Sequence, residues 1–189
     1  MRLKSRITAA LLGLAVTSGT ALAGVIGGTY YAPQYDFREF WAAADGRNFQ
    51  VILNGNPFPG TDPKQVADAL LPTMQAAKPR PALTFTYADP PERPHPYYRL
   101  VLTFDPAPDY GSIQVCNGVP PRYKAGRPGL FYVFAVYCRN DQVLSETTAW
   151  TPASGPTDPR IDELFRQLFQ VVWSDSPALK PSLGGGIRN

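Results

Sequence analysis

The residues able to do chemistry are few and widely spaced. The single histidine, His95, lies between Pro94 and Pro96. A ring flanked by prolines in a loop is poorly placed for a precisely held triad, and it reads as a solvent-facing side chain. No G-x-S-x-G, H-E-x-x-H, P-loop or G-x-G-x-x-G run occurs, so serine hydrolase, zincin and nucleotide-binding chemistries lack their signatures. Carboxylates are the remaining catalytic groups, since glycoside hydrolysis needs only two acids at a suitable separation in space. Asp105 and Asp109 share the loop "FDPAPDYG", and Asp141 and Glu146 fall on or beside a hairpin. Each also has a structural reading as a turn acceptor or a solvated strand residue. The 105–109 loop has too few oxygen ligands, at the wrong spacing, for calcium. No catalytic residue, metal site or cofactor is therefore assigned.

Cys116 and Cys138 are the only thiols. No C-x-x-C spacing points to metal or redox work, and an even count in an exported chain favours a disulfide between them, two free buried thiols being the alternative.

Export is written in residues 1–23. Arg2, Lys4 and Arg6 precede an apolar run from Ile7 to Val16 that is too short to span a bilayer, and Ala21-Leu22-Ala23 is a small-residue cleavage site. Cleavage is expected after Ala23, which places the chain in the periplasm or outside the cell; retention as an uncleaved anchor is the alternative. Leu22-Ala23-Gly24 would fit the approach to a lipidated cysteine, but Val25 has no thiol to acylate, so no lipid anchor is expected. The signal holds three of the 18 Lys and Arg, leaving 15 against 15 Asp and Glu beyond it. A neutral mature chain has no charge footprint for nucleic acid or an anionic membrane surface. Arg122, Lys124 and Arg127 are the nearest thing to a basic cluster.

Aromatic residues are the stronger lead. Tyr30, Tyr31, Tyr35, Phe37, Phe40 and Trp41 crowd the start of the mature chain, and Phe58 sits between two prolines in "NGNPFPG". Either they fill the core or they form a patch for a partner, the residue type that dominates binding hot spots.

These residues must be positioned by one domain, because about 150 ordered residues can bury a single core. The 21 prolines, at about twice the average frequency of roughly 5%, punctuate its elements. A short helix opens at "YDFREFWAAADG", with Asp36 as cap and Gly46 as stop. "NFQVILN" alternates as a strand. "TDPKQVADALLPTMQAAK" is a helix capped by Asp62 with Pro63 in its first turn, which Pro72 should kink or end early. "LTFTY" and "YYRLVLTF" are strands, the second with Tyr98, Leu100, Leu102 and Phe104 on its apolar face. "SIQVC" reads as a weak strand. "LFYVFAVYCR" and "QVLSETTAW" form a hairpin about Asn140 and Asp141. "TDPRIDELFRQLFQVVW" closes the pattern with a second Thr-Asp-Pro helix, its stripe made by Ile161, Leu164, Phe165, Leu168 and Val172.

The expected organisation is a signal peptide at 1–23, an aromatic N-terminal segment with a short helix at 24–46, one α+β domain at 47–174 and a mobile tail at 175–189. The domain is a mainly antiparallel sheet with the two long helices on one face.

The segments "FQVILNGNPFP", "YRLVLTFDP", "FAVYCRND" and "LFRQLFQVVWSD" resemble a family of exported proteins of Gram-negative bacteria, over nearly all of the mature chain. That family has no established activity or site residues, and some members carry the lipoprotein cysteine that Val25 replaces here. The closing hairpin and helix are also similar to small envelope lipoproteins. The leading expectation is a non-enzymatic periplasmic protein that binds another envelope component through the aromatic segment or an exposed sheet edge, with no nucleic acid. The second is a small-ligand binder or carboxylate-dependent hydrolase acting on cell-wall or glycan material.

Overall fold

The computed structural model describes residues 24–89 and 96–176. Its elements are β1 (Val25–Tyr31), α1 (Phe37–Ala44), β2 (Asn48–Asn54), α2 (Pro63–Ala77), β3 (Thr84–Thr86), β4 (Tyr98–Phe104), α3 (Ser112–Cys116), β5 (Leu130–Arg139), β6 (Gln142–Pro152) and α4 (Pro159–Val172). Six strands form one sheet in the order β1-β6-β5-β4-β2-β3. The fold is α+β, as expected.

Local chemistry explains the helix starts. Asp36 Oδ1 accepts from Arg38 N at 2.8 Å, Asp62 Oδ1 from Lys64 N at 2.9 Å, and Asp158 Oδ1 from Arg160 N at 3.1 Å. Pro63 and Pro159 follow their caps in the first turn, where a missing N–H costs nothing. Pro72 does not end α2, which runs on to Ala77. Its ring faces outward, while Val66, Leu70, Met74 and Ala77 hold the helix on the core from both sides of it. Tertiary burial outweighs the lost backbone bond.

The sheet is mixed. β1, β6, β5 and β4 pair antiparallel, but β2 is parallel to both β4 and β3. α2 carries the chain from β2 to β3, and a helical crossover returns the next strand in the same direction. β1 was not anticipated. It pairs with β6 from Val25 opposite Trp150 to Tyr31 opposite Ser145, with a register shift at Gly27–Gly28.

The alternation of β4 is realised. Tyr98, Leu100, Leu102 and Phe104 join the inner core with Phe131, Val133, Ala135 and Tyr137 of β5 and the stripes of α2 and α4. Both long helices therefore cover this face. On the outer face Val101, Phe134, Val136 and Cys138 pack against Tyr110, Val115 and Cys116. Here "SIQVC" is a helix, not a strand. Gln114 Oε1 accepts from Gly111 N at 2.5 Å to start it, and the bond between Cys116 and Cys138 holds it on β5.

Candidate functional site

β2 and β4 are adjacent and parallel, yet the chain leaves their carboxyl ends toward opposite faces, to α2 on the inner side and to α3 on the outer. A crevice opens where such connections diverge, and ligands of open sheets with parallel strands bind there. The antiparallel neighbours bring the start of β5 and the end of β6 to the same edge. A cleft of about 390 Å³ lies there, walled by residues 57–61, 126–130, Ala153 and Ser154.

The walls are built by turn chemistry. Asn56 ties the first loop, its Oδ1 accepting from Phe58 N and its Nδ2 donating to Thr61 O, both at 2.9 Å. Gly55 has φ +83°, and a Cβ there would come within 2.7 Å of the Tyr123 ring. Only glycine allows both that backbone and that contact. Phe58 leans on Phe131 with ring centroids 6.0 Å apart, which leaves it half-buried on the cleft wall. The facing loop is tied by Leu130 N to Arg127 O at 3.0 Å and by Ala153 N to Gly129 O at 2.9 Å. Arg127 itself is exposed and ion-paired to no described residue. Ser154 Oγ is occupied by Asp158 Oδ2 at 3.1 Å, and Arg160 Nη2 donates to the same oxygen at 2.6 Å. These bonds, led by the Arg160 guanidinium, hold the Asp158 carboxyl well below the usual carboxylate range.

Asp105, at the end of β4, is the anomaly of this region. Its φ is +44° although proline follows it, and both its own Cβ and the Pro106 ring oppose that conformation. Its main chain is tied, since Asp105 O accepts from Lys124 N at 2.9 Å. Its side chain is not. The residue is 8% exposed, and no described residue donates a hydrogen bond to the carboxylate. Oδ2 lies 2.8 Å from where a Cβ on the cleft-lining Gly126 would stand. Burial pushes this carboxyl above its usual range against the pull of Lys124 and Arg127.

The N-terminal aromatic residues are divided by the fold. Tyr31, Tyr35 and Phe40 are buried, so they cannot be part of an exposed patch. Tyr35 Oη donates to Ser174 O at 2.8 Å, Tyr31 Oη donates to Val171 O, and Phe40 stacks on Trp173 at 4.6 Å. Trp41 remains 41% exposed, with Phe37 edge-on to it at 6.1 Å, beside Pro79 and Pro81. Tyr30 borders a separate shallow depression together with Gln34, Asp141 and Glu146. Of the aromatic candidates only Phe58 reaches the cleft.

Asp109 pairs with Arg122, not with Asp105. Cys116 and Cys138 are joined, and both are buried. His95 lies outside the described residues. Among those described, no three His, Cys, Asp or Glu side chains are grouped to hold a metal ion. Arg127 was legible only as part of a loose basic run. Its relation to Phe58 and Asp105 depends on three distant segments meeting at one edge.

Searches of family models, of curated proteins and of solved structures find no match to this chain.

Proposed function

We propose that the chain is an exported, non-catalytic binding protein of the bacterial envelope that receives part of another envelope component in the cleft at the carboxyl ends of β2 and β4. The observation that carries this reading is the make-up of that cleft: an aromatic ring and prolines on its walls, with the exposed guanidinium of Arg127 beside them. A pocket of a few hundred Å³ with apolar walls and a few placed polar groups is the usual form of a ligand site. The export signal and the Cys116–Cys138 bond support delivery to an oxidising compartment, the periplasm.

The experiment is affinity recovery from periplasm with wild type, Phe58→Ser with Arg127→Glu, and Trp41→Ala. The component recovered with wild type should be lost with the cleft variant and kept with Trp41→Ala. Loss only with Trp41→Ala would transfer the function to the α1 surface and refute the cleft.

A second reading is favoured by one observation, that Asp141 and Glu146 line the same depression beside Tyr30. Two carboxylates on one surface support glycan hydrolysis. Equal sugar release from peptidoglycan by wild type and Glu146→Gln would remove it.

A further inference from the structure

The end of the sheet opposite the cleft gathers charge that the sequence keeps apart. All of α2 separates Arg47 from Lys78 and Arg80 in the chain, but Gly46 N donates to Ala82 O at 2.5 Å and Thr84 N to Arg47 O at 3.0 Å, so their segments lie side by side. All three side chains are exposed. Lys78 Nζ donates to Leu83 O at 2.8 Å, and neither Arg47 nor Arg80 forms an ion pair with a described carboxylate. Asp45 is the one acidic residue in the two segments, 41–47 and 78–84. Arg38, on the same side of α1 as Trp41, has Asp36 beside it and adds no net charge. The even charge balance of the sequence therefore does not extend to this surface. Trp41 belongs to it as well. Its exposed ring lies edge-on to Phe37 and borders one open depression with Lys78, Pro79, Arg80 and Pro81. Phe40 and Ala44, fully buried on the other side of α1, fix the helix so that this indole stays outside.

We propose that this surface docks the protein on an anionic phospholipid bilayer: Trp41 sits among the headgroups, and Arg47, Lys78 and Arg80 contact lipid phosphates. An indole settles at a membrane–water interface because its apolar body and its polar N–H are both accommodated there. Each Lys or Arg near an anionic leaflet multiplies the binding constant about fivefold. A bilayer suits the surface better than an acidic protein does. The depression is open, and the two guanidinium groups end flexible side chains that no described carboxylate holds in place; fluid headgroups can move to meet them, whereas a folded partner requires fixed walls. The surface lies at the Asn48 end of β2 and the cleft beyond its Asn54 end, about 20 Å of strand away. Docking at one end thus leaves the cleft turned to the aqueous phase, and the two sites stand or fall separately.

The test is cosedimentation of the chain from Gly24 onward, which contains every described element, with vesicles of phosphatidylcholine and of equal parts phosphatidylcholine and phosphatidylglycerol. Wild type should bind the anionic vesicles at least about 25-fold more strongly, and should lose most of that preference when added salt shortens the Debye length from about 10 Å to about 3 Å. Arg47→Gln with Arg80→Gln should weaken binding about 25-fold, and Trp41→Ala about fivefold. Trp41→Phe, which keeps an aromatic ring, should bind better than the alanine variant and lose the fluorescence quenching by brominated lipid chains that wild type shows. All three substituted side chains are exposed, so thermal midpoints close to wild type separate lost binding from lost folding. Equal binding to the two vesicle types overturns the proposal, as does wild-type binding by the double arginine variant or by Trp41→Ala. Quenching that persists in Trp41→Phe overturns it too, since the contact would then lie at another tryptophan. Binding to soluble poly-L-glutamate as tight as to anionic vesicles, and insensitive to Trp41→Ala, would make the partner an acidic protein and remove the bilayer.

Discussion

Replacing Phe40 by Ala asks whether the N-terminal aromatic segment is part of the folded body. Phe40 is fully buried, stacked on Trp173 at 4.6 Å with the rings 9° from parallel, and edge-on to Phe49 at 5.8 Å and Tyr137 at 5.9 Å. Truncating a buried Phe costs about 3–5 kcal/mol, and each well-placed aromatic pair adds about 0.5–1.5 kcal/mol beyond its buried area. The expected loss is at the upper end, about 4–5 kcal/mol. That is a large part of the roughly 5–15 kcal/mol that holds a typical domain folded. Phe40→Leu, which keeps most of the volume and loses the ring contacts, should lose about 1–2 kcal/mol and stay measurable if the alanine variant unfolds. The assay is urea unfolding followed by tryptophan fluorescence, read as a shift in midpoint at constant slope. Trp41→Ala is the control, because that ring is 41% exposed, and its loss should stay below about 1 kcal/mol. A Phe40→Ala loss no larger than that of Trp41→Ala would refute the packing of α1 described above.

Two other outcomes follow from the same geometry. Cys116→Ser with Cys138→Ser opens a link between residues 22 apart and should lower stability by about 3 kcal/mol on the chain-entropy model; hydrogen exchange should show α3 losing protection before the centre of β5, and native wild type should take up alkylating reagent only after reduction. The Asp158 carboxyl is depressed in the folded state, so its contribution is present above the unfolded value of about 4 and is lost as pH falls through the folded value. The stability gap between wild type and Asp158→Asn should therefore narrow steadily from about pH 5 to pH 2, and a gap independent of pH would contradict the role given to Arg160.

Local signals were readable wherever one residue settles a conformation. Asp62-Pro63 and Asp158-Pro159 start helices because cap and proline act within one turn. Asn140 takes φ +53° at the hairpin, as its side chain allows, though Asp141 does not share it. β4 declared its faces through strict alternation. What escaped was decided at a distance. "VIGGTYY" has β-forming residues at both ends, but two glycines interrupt its alternation, and it becomes β1 by pairing with the edge that β6 offers. "SIQVC" has strand-forming residues, but a disulfide to β5 and burial of Val115 select a helix. The parallel block was hidden because alternation specifies faces, not neighbours. In the candidate site, Phe58 was visible as an aromatic residue in a loop. Asp105 looked like an ordinary turn acid, since its backbone strain and the lack of a donor exist only after residues 122–127 have folded over it.

The pairing of β1 with β6 sets a condition on biogenesis. Val25 meets Trp150 and Tyr31 meets Ser145, so a chain synthesised from its N-terminus carries its first strand unpaired while more than a hundred further residues are made. The sheet cannot be closed on this side until the last hairpin exists, and contacts of such long range form slowly. The first strand of the described chain is thus the last to be locked into the sheet, and its pairing reports completion of the fold.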